Sequence, residues 1–141
     1  MSCLKIKSEI NFNAARHLQM KYYYPSVVHC AYYSCIQLMR HVLIFNIGLS
    51  DRQMEEDRKE YYPSLGVHQY LIERLTLELQ NGDCDWKKFH NEIEELRKLR
   101  TRSDYQDKVI SENNSQRSII LCYSIINCLK TFFIQDSVKS I

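Results

Sequence analysis

Glycine and proline are scarce in this sequence, which has three Gly and two Pro among its 141 residues. Folds built from β-strands need many turns, and turns use these two residues, so the scarcity argues against an all-β domain. The composition is otherwise average for a globular protein, with 45% hydrophobic and 26% charged residues. A chain of this length is the usual size of one domain and can bury a core without metals or disulfides. We therefore expect one helical domain over residues 1–141.

A strong excess of charge of one sign is also lacking. The formal net charge is +2 and the isoelectric point is near 8.2. This balance is below that of a dedicated nucleic-acid-binding domain, but it is compatible with a local basic patch. The sequence has no Gly-rich phosphate loop, so it predicts no ATP-hydrolysing role and no cofactor.

Motifs for metals, disulfides and membranes are missing as well. The six cysteines lack the C-x-x-C spacing of zinc sites and redox motifs. His68, His90 and Asp85 do not form H-E-x-x-H or another ligand set with helical spacing, so no metal site is predicted. Residues 1–13 have no apolar run, and no segment approaches the roughly 20 apolar residues of a membrane span. These absences predict a cytoplasmic protein with reduced cysteines and no membrane contact.

Apolar residues recur at helical spacing in five segments. This pattern predicts an all-α fold, an antiparallel bundle of four or five helices with mostly short connections. The five segments are residues 8–22, 25–47, 67–80, 85–102 and 115–135. Residues 51–60 are highly charged and form either a short exposed helix or a mobile loop. Residues 103–112 are polar and are expected to be irregular.

Three of these helices carry more detailed expectations. In the first, Ile10, Ala14, Leu18 and Tyr22 repeat at intervals of four, so we expect them to face the core. In the second, Phe45 can extend a buried stripe. The last predicted helix is apolar over a wide arc, which is typical of a nearly surrounded helix or of one that meets a second copy.

Three short motifs occur in order along the chain. Residues 24–34 contain Ala31, Tyr32 and Tyr33 followed by Ser34, residues 65–68 contain Gly66 before a valine, and residues 96–105 read LRKLRTRSDY. These segments resemble the "A-Y-Y-A", "G-V" and "L-R-x-x-A-D-Y" motifs of the HEPN superfamily (higher eukaryotes and prokaryotes nucleotide-binding domains). The resemblance covers nearly the whole chain and implies a HEPN-like helical bundle that often dimerises.

The resemblance also implies a chemistry. Many HEPN domains are metal-independent ribonucleases, often the toxin beside a minimal nucleotidyltransferase antitoxin. Their site is an Arg, four to six residues, and then a His, placed just before the last long helix. The Arg can hold the scissile phosphate with its bidentate fork, and the His can move a proton during attack by the 2′-hydroxyl.

Only half of that ribonuclease motif is present here. Arg100 matches the Arg, but the position of the His is occupied by Tyr105 in an Arg-x-x-Ser-Asp-Tyr segment, and no His follows His90. A tyrosine phenol, whose ordinary pKa is about 10, is a poor base at neutral pH, although it can donate a hydrogen bond to a phosphate oxygen. We therefore expect the usual acid–base machinery to be absent.

The replacement of the motif His by Tyr105 leaves two possible functions. The first is a HEPN-like domain that acts through self-association and through binding of a protein partner or RNA, in a toxin–antitoxin or defence-type system. The partners implied are a second copy, a minimal nucleotidyltransferase and RNA. The alternative is a ribonuclease with a modified site, in which Arg100 holds the phosphate and Asp104, Tyr105, His29 or His41 assists. Each of these histidines is otherwise an ordinary partly buried or solvated side chain.

The strongest basic cluster lies around the motif and has two interpretations. Its members are Arg97, Lys98, Arg100 and Arg102. They can contact phosphates and give a salt-dependent affinity for nucleic acid. They can instead pair with Glu94, Glu95 and Asp104 and compensate the negative end of a helix.

Overall fold

The computed structural model describes residues 2–105 and 109–134, and all its regular elements are helical. The α-helices are α1 (Cys3–Met20), α2 (Tyr24–His41), α3 (Asp51–Tyr61), α4 (Val67–Gln80), α5 (Trp86–Tyr105) and α6 (Glu112–Leu129). Two π-helical segments, Val42–Ile47 and Lys130–Ile134, continue α2 and α6. The predicted all-α fold is confirmed. The described residues form six α-helices rather than four or five, because the charged segment after residue 50 is helical.

The start of α1 is fixed by a capping serine. The Ser2 hydroxyl accepts a hydrogen bond from the backbone N–H of Leu4 at 3.2 Å, so the helix begins at Cys3 rather than at residue 8. The predicted inward face of α1 is only partly right: Leu18 is partly buried and packs against the core, but Ile10 and Tyr22 are exposed.

The fully buried positions of α1 carry small side chains. Ser8 and Ala15 are buried, and Ser8 meets Ser34 of α2. The Ser8 hydroxyl donates to the Ser34 carbonyl at 2.7 Å, and the Ser34 hydroxyl donates to the Ser8 carbonyl at 2.7 Å. Small side chains let the two helices approach closely, and the reciprocal bonds satisfy both buried hydroxyls.

Helix α2 lies at the centre of the bundle, in contact with α1, α4, α5 and α6. Its predicted stripe is buried and consists of Val28, Tyr32, Cys35, Met39 and Val42. Phe45 is exposed, because the wider π-helical turn rotates it away from that stripe. Gly48 ends the segment with a φ of 93°, in the left-handed region that favours glycine.

The charged segment forms α3 because its first turn is capped on both sides. The Ser50 hydroxyl accepts from the Gln53 backbone N–H at 3.1 Å, and the Gln53 side chain accepts from the Ser50 backbone N–H at 2.8 Å. Tyr70 of α4 donates its hydroxyl to Asp57 at 2.7 Å. These contacts hold a helix that buries only Met54.

Helix α5 is longer than expected and reaches Tyr105, so the start of the segment predicted to be irregular is helical. The Ser103 hydroxyl donates to the Pro25 carbonyl at 3.1 Å and ties this last turn to the start of α2. As a result Arg100 and Asp104 lie one helical turn apart on the same face.

Helix α6 begins at Glu112 because the Ser111 hydroxyl accepts from the Asn114 backbone N–H at 3.1 Å. One of its faces is buried in the core, but Ile120 and Tyr123 are 52% and 62% exposed, so α6 is not surrounded on all sides. The predicted end at Gln135 lies outside the described residues.

The helical stretch Glu112–Ile134, which consists of α6 and its π-helical continuation, has 23 residues. By length and composition alone it is apolar enough to cross a membrane, contrary to the expectation from the sequence. Core helices of soluble proteins can be equally long and apolar.

Candidate functional site

The guanidinium of Arg100 lies among three tyrosine rings. Its central carbon is 4.8 Å from the ring centroid of Tyr32, 5.6 Å from that of Tyr33 and 5.3 Å from that of Tyr105. These distances are within the range of cation–π attraction. The "A-Y-Y" positions of α2 and the motif at the end of α5 therefore meet in one site, although they are far apart in the sequence.

Arg100 is held by few hydrogen bonds. Its Nη2 donates to the Tyr33 hydroxyl at 3.4 Å, which is a long hydrogen bond. Its Nε is buried and has no hydrogen-bond partner among the described residues, and the side chain as a whole is 12% exposed. Asp104 Oδ2 is 3.8 Å from Nε, close enough for an ion pair but too far for a hydrogen bond. The guanidinium thus keeps donor capacity that the other described residues do not use.

Asp104 also contacts a histidine. Its Oδ2 lies 3.2 Å from Nδ1 of His29, and the His29 ring packs 4.7 Å from that of Tyr33. The side chain of His29 is half exposed, while that of Asp104 is largely covered. A single carboxylate oxygen therefore faces both the imidazole from α2 and the guanidinium from α5.

A second histidine, His68 in the first turn of α4, lies on another side of the tyrosines. Its Nδ1 shares a hydrogen bond with the Tyr32 hydroxyl at 3.2 Å. Burial lowers the pKa of His68 from its ordinary value, and the positive charges of Arg100 and Arg40 lower it further. Burial raises the pKa of Tyr32 to about 12, although Arg100 opposes the shift. The contact therefore joins a neutral phenol and a predominantly neutral imidazole at pH 7.

An open groove of about 440 Å³ gives access to this site. It lies between α2, α4 and α5 and is lined by Tyr32, Gly66, Val67, His68, Gln69, Arg97, Arg100 and Thr101. Gly66 lies at the rim and precedes the first residue of α4, and a Cβ added there would meet no other atom within 4 Å. The three resembling motifs contribute to the same groove.

The basic cluster divides into paired and unpaired members. Arg97 Nη2 lies 3.1 Å from Glu94, one helical turn earlier, and Arg100 approaches Asp104. Glu95 is not part of this network, because it pairs with Arg117 of α6 at 2.8 Å. Lys98 and Arg102 form no ion pair with another described residue. The expected internal pairing therefore accounts for Arg97 but leaves the guanidinium of Arg100 without a full set of partners.

His41 is not brought to the site. It lies about 18 Å further along α2 than His29, at 1.5 Å per residue. Its ring stacks on Phe45 with centroids 5.1 Å apart, and its pKa is lowered by burial and by the charge of Lys5. Of the two histidines proposed from the sequence, only His29 can act with Arg100.

No family model, no curated protein and no solved structure matches this chain.

Proposed function

We propose that this chain is a HEPN-like helical domain that acts by binding, with Arg100 as a contact for an RNA phosphate. The observation that supports this most is the buried Nε of Arg100, which has no hydrogen-bond partner among the described residues. A phosphate in the adjoining groove would accept from the part of the guanidinium that lines it, and a small shift of the side chain would bring the covered Nε to a second phosphate oxygen. The tyrosine rings fix the side chain beforehand, so that little conformational entropy is lost on binding.

Self-association is the second part of the proposal. The exposed Ile120 and Tyr123 lie on a helix that otherwise contributes to the core, and an apolar surface of this kind suits a second copy of the chain. With a minimal nucleotidyltransferase as the protein partner, the chain would belong to a cytoplasmic toxin–antitoxin or defence-type system. Sedimentation of the purified protein as a monomer at all concentrations would contradict the self-association.

A ribonuclease with a modified site is the second candidate, and the contact between His29 and Asp104 favours it. Because Nδ1 faces the carboxylate, Nε2 of His29 is free to accept the proton of a 2′-hydroxyl. The 2′-oxygen would attack phosphorus, the bond to the 5′-oxygen would break, and water would protonate the leaving oxygen. The products would be a 2′,3′-cyclic phosphate and a 5′-hydroxyl, with Arg100 stabilising the charge on phosphorus.

Binding is tested with the purified full chain and a fluorescent single-stranded RNA in EDTA. We expect Arg100→Ala to weaken binding by about tenfold to a hundredfold, since a hydrogen bond to a charged group contributes about 1.5–3 kcal/mol. The slope of log affinity against log salt should fall by about 0.7 for the lost phosphate contact. Arg52→Ala is the matched control, because Arg52 is 89% exposed on α3 and the variant loses the same charge. Equal loss in both variants would overturn the assignment of Arg100.

The same samples separate binding from cleavage. Cyclic-phosphate products from the wild type, absent with Arg100→Ala and with His29→Gln, would identify the ribonuclease. RNA binding without such products would leave the binding function alone. Expression in a bacterial host gives a second readout, since a ribonuclease should inhibit growth and Arg100→Ala should relieve the inhibition.

A further inference from the structure

A second cluster of polar side chains lies between α4 and α5. Glu73 of α4 faces His90 and Glu94 of α5, and one ligating atom from each lies within 4.8 Å of the other two. His90 Nε2 is 3.1 Å from Glu73 Oε1. The cluster is independent of the histidine and carboxylate beside Arg100.

Helical geometry explains why these residues meet. His90 and Glu94 are one turn apart and therefore lie on one face of α5, as Gln69 and Glu73 do on α4. The two helices run antiparallel, so the pairs stand opposite each other. All three ligating side chains are partly buried, which restricts their rotamers.

A glutamine amide now bridges the two carboxylates. Gln69 Nε2 donates to Oε1 of Glu73 and to Oε1 of Glu94, at 3.0 Å in both cases. The amide hydrogens supply the positive partial charge that a pair of neighbouring carboxylates requires. A cation at this place would satisfy the same two oxygens more strongly.

The surroundings of Glu94 suit a metal ligand. Arg97 donates to Glu94 Oε2 through Nη2 at 3.1 Å and Nε at 3.3 Å, and this leaves Oε1 directed at the cluster. Gln69 donates to that Oε1, so neighbouring side chains orient both oxygens of the Glu94 carboxylate. A carboxylate that is ionised and oriented by an outer hydrogen bond is the usual arrangement in metal sites.

We propose that Glu73, His90 and Glu94 bind a divalent transition-metal ion, with Zn²⁺ preferred, and that Gln69 turns its amide oxygen toward the ion as a fourth ligand. One imidazole with oxygen donors suits Zn²⁺ better than Mg²⁺, which takes oxygen donors and water. Tetrahedral zinc with bonds of about 2.0–2.2 Å keeps its ligands about 3.3 Å apart. Glu73 and His90 are already near that separation, and Glu94 requires only a side-chain movement.

Such an ion would link α4 to α5 beside the groove at Arg100, because Gln69 and Arg97 line both places. Its role would be structural, since all four ligands come from the protein and no position remains for a substrate. The metal site is proposed independently of RNA binding. The two can be tested separately, because the RNA measurements contain EDTA, which removes metal ions.

The test is titration of the metal-free full chain with Zn²⁺ under reducing conditions, followed by calorimetry and by the thermal unfolding midpoint. We expect one equivalent to bind and to raise the midpoint. Glu73→Gln, His90→Gln and Glu94→Gln should each weaken binding by at least about tenfold. His17→Gln, which alters an exposed histidine of α1, should leave the affinity unchanged. Circular dichroism of each variant verifies that the helices remain.

Substitution with Co²⁺ distinguishes these ligands from the cysteines. Absorption bands of tetrahedral Co²⁺ without an intense near-ultraviolet thiolate band would support the site, whereas a thiolate band would overturn it. Absence of binding by Zn²⁺ and Co²⁺, or equal affinity in the wild type and the three ligand variants, would also overturn it.

Discussion

Oδ2 of Asp104 lies 3.2 Å from His29 Nδ1 and 3.8 Å from Arg100 Nε. One carboxylate oxygen thus connects a histidine of α2 with Arg100, the arginine of the segment that resembles the HEPN motif. Asp104 balances the charge of Arg100 in the free protein, and it would repel a phosphate that approaches the same guanidinium. A change at Asp104 should therefore act in opposite directions on binding and on cleavage.

Asp104→Asn should tighten RNA binding by about 1 kcal/mol, roughly fivefold, because it removes a negative charge near the phosphate contact. If the protein cleaves RNA, the same variant should cleave more slowly, since His29 loses the carboxylate that orients it. Fluorescence anisotropy and product analysis measure the two effects. Glu56→Gln is the control, because it removes the same negative charge from an exposed position on α3. Weaker binding by Asp104→Asn would contradict the placement of the phosphate beside Arg100.

The imidazole of His68 should titrate below its ordinary pKa of about 6.5, because it is partly buried and is affected by the positive charge of Arg100. In the interval between the folded and unfolded pKa values the unfolded chain binds more protons, so the free energy of unfolding should rise with pH there. Chemical-shift titration of the ring protons measures the pKa. Arg100→Gln should raise the value for His68 and leave that of His41 unchanged, since His41 owes its lowered pKa to burial and Lys5. A titration midpoint at the ordinary pKa for His68 would contradict this prediction and show that the imidazole is solvated.

Ser34→Ala should lower the free energy of unfolding by about 1 kcal/mol. The hydroxyl is buried and donates to the Ser8 carbonyl across the interface of α1 and α2, and such a bond contributes about 0.5–1.5 kcal/mol. Urea denaturation measures the loss. Ser64→Ala, in an exposed turn, should change stability by less than about 0.5 kcal/mol. If the two variants were equally stable, the interserine bonds would not contribute to the interface.

Phe89→Ala should lower the free energy of unfolding by about 3–5 kcal/mol, because the ring is fully buried and its removal leaves a cavity. Phe45→Ala should cost less than about 1 kcal/mol, since this ring is exposed beyond the end of the core stripe. Thermal and urea unfolding of the two variants measure both losses in stability and so test where the core ends. A large loss with Phe45→Ala would show that a further surface covers the π-helical segment.

The sequence predicted the helices well where apolar residues repeat, as in the stripe of α2 around Tyr32 and Cys35. It was only partly right for α1, because Leu18 packs against the core but the fully buried positions are Ser8 and Ala15, whose small side chains give little hydrophobic signal. It also failed at the end of α5, where polar composition conceals a turn that Ser103 fixes by a bond to Pro25. In both helices, contacts with a neighbouring helix determine which residues are buried or helical. The periodicity of a single segment carries no information about such contacts.

The candidate site was partly accessible from the sequence. The motif indicated Arg100, Asp104 and Tyr105, and the face of α2 indicated His29. His68 was missed although it directly follows the Gly66-Val67 pair, because nothing in its spacing links it to Tyr32. The cluster of Glu73, His90 and Glu94 was missed for the same reason, since its ligands come from two helices and match no linear pattern.

The hydrogen bond between Arg100 and Tyr33 joins residues 67 positions apart in the chain. During synthesis the tyrosines of α2 leave the ribosome long before Arg100 does, and domains fold as the chain emerges. The earlier helices can associate at that stage, but the cationic groove cannot form until α5 has been released. A nascent chain therefore lacks the proposed phosphate contact, and the translating ribosome, itself rich in RNA, meets that contact only when synthesis of this region is nearly finished.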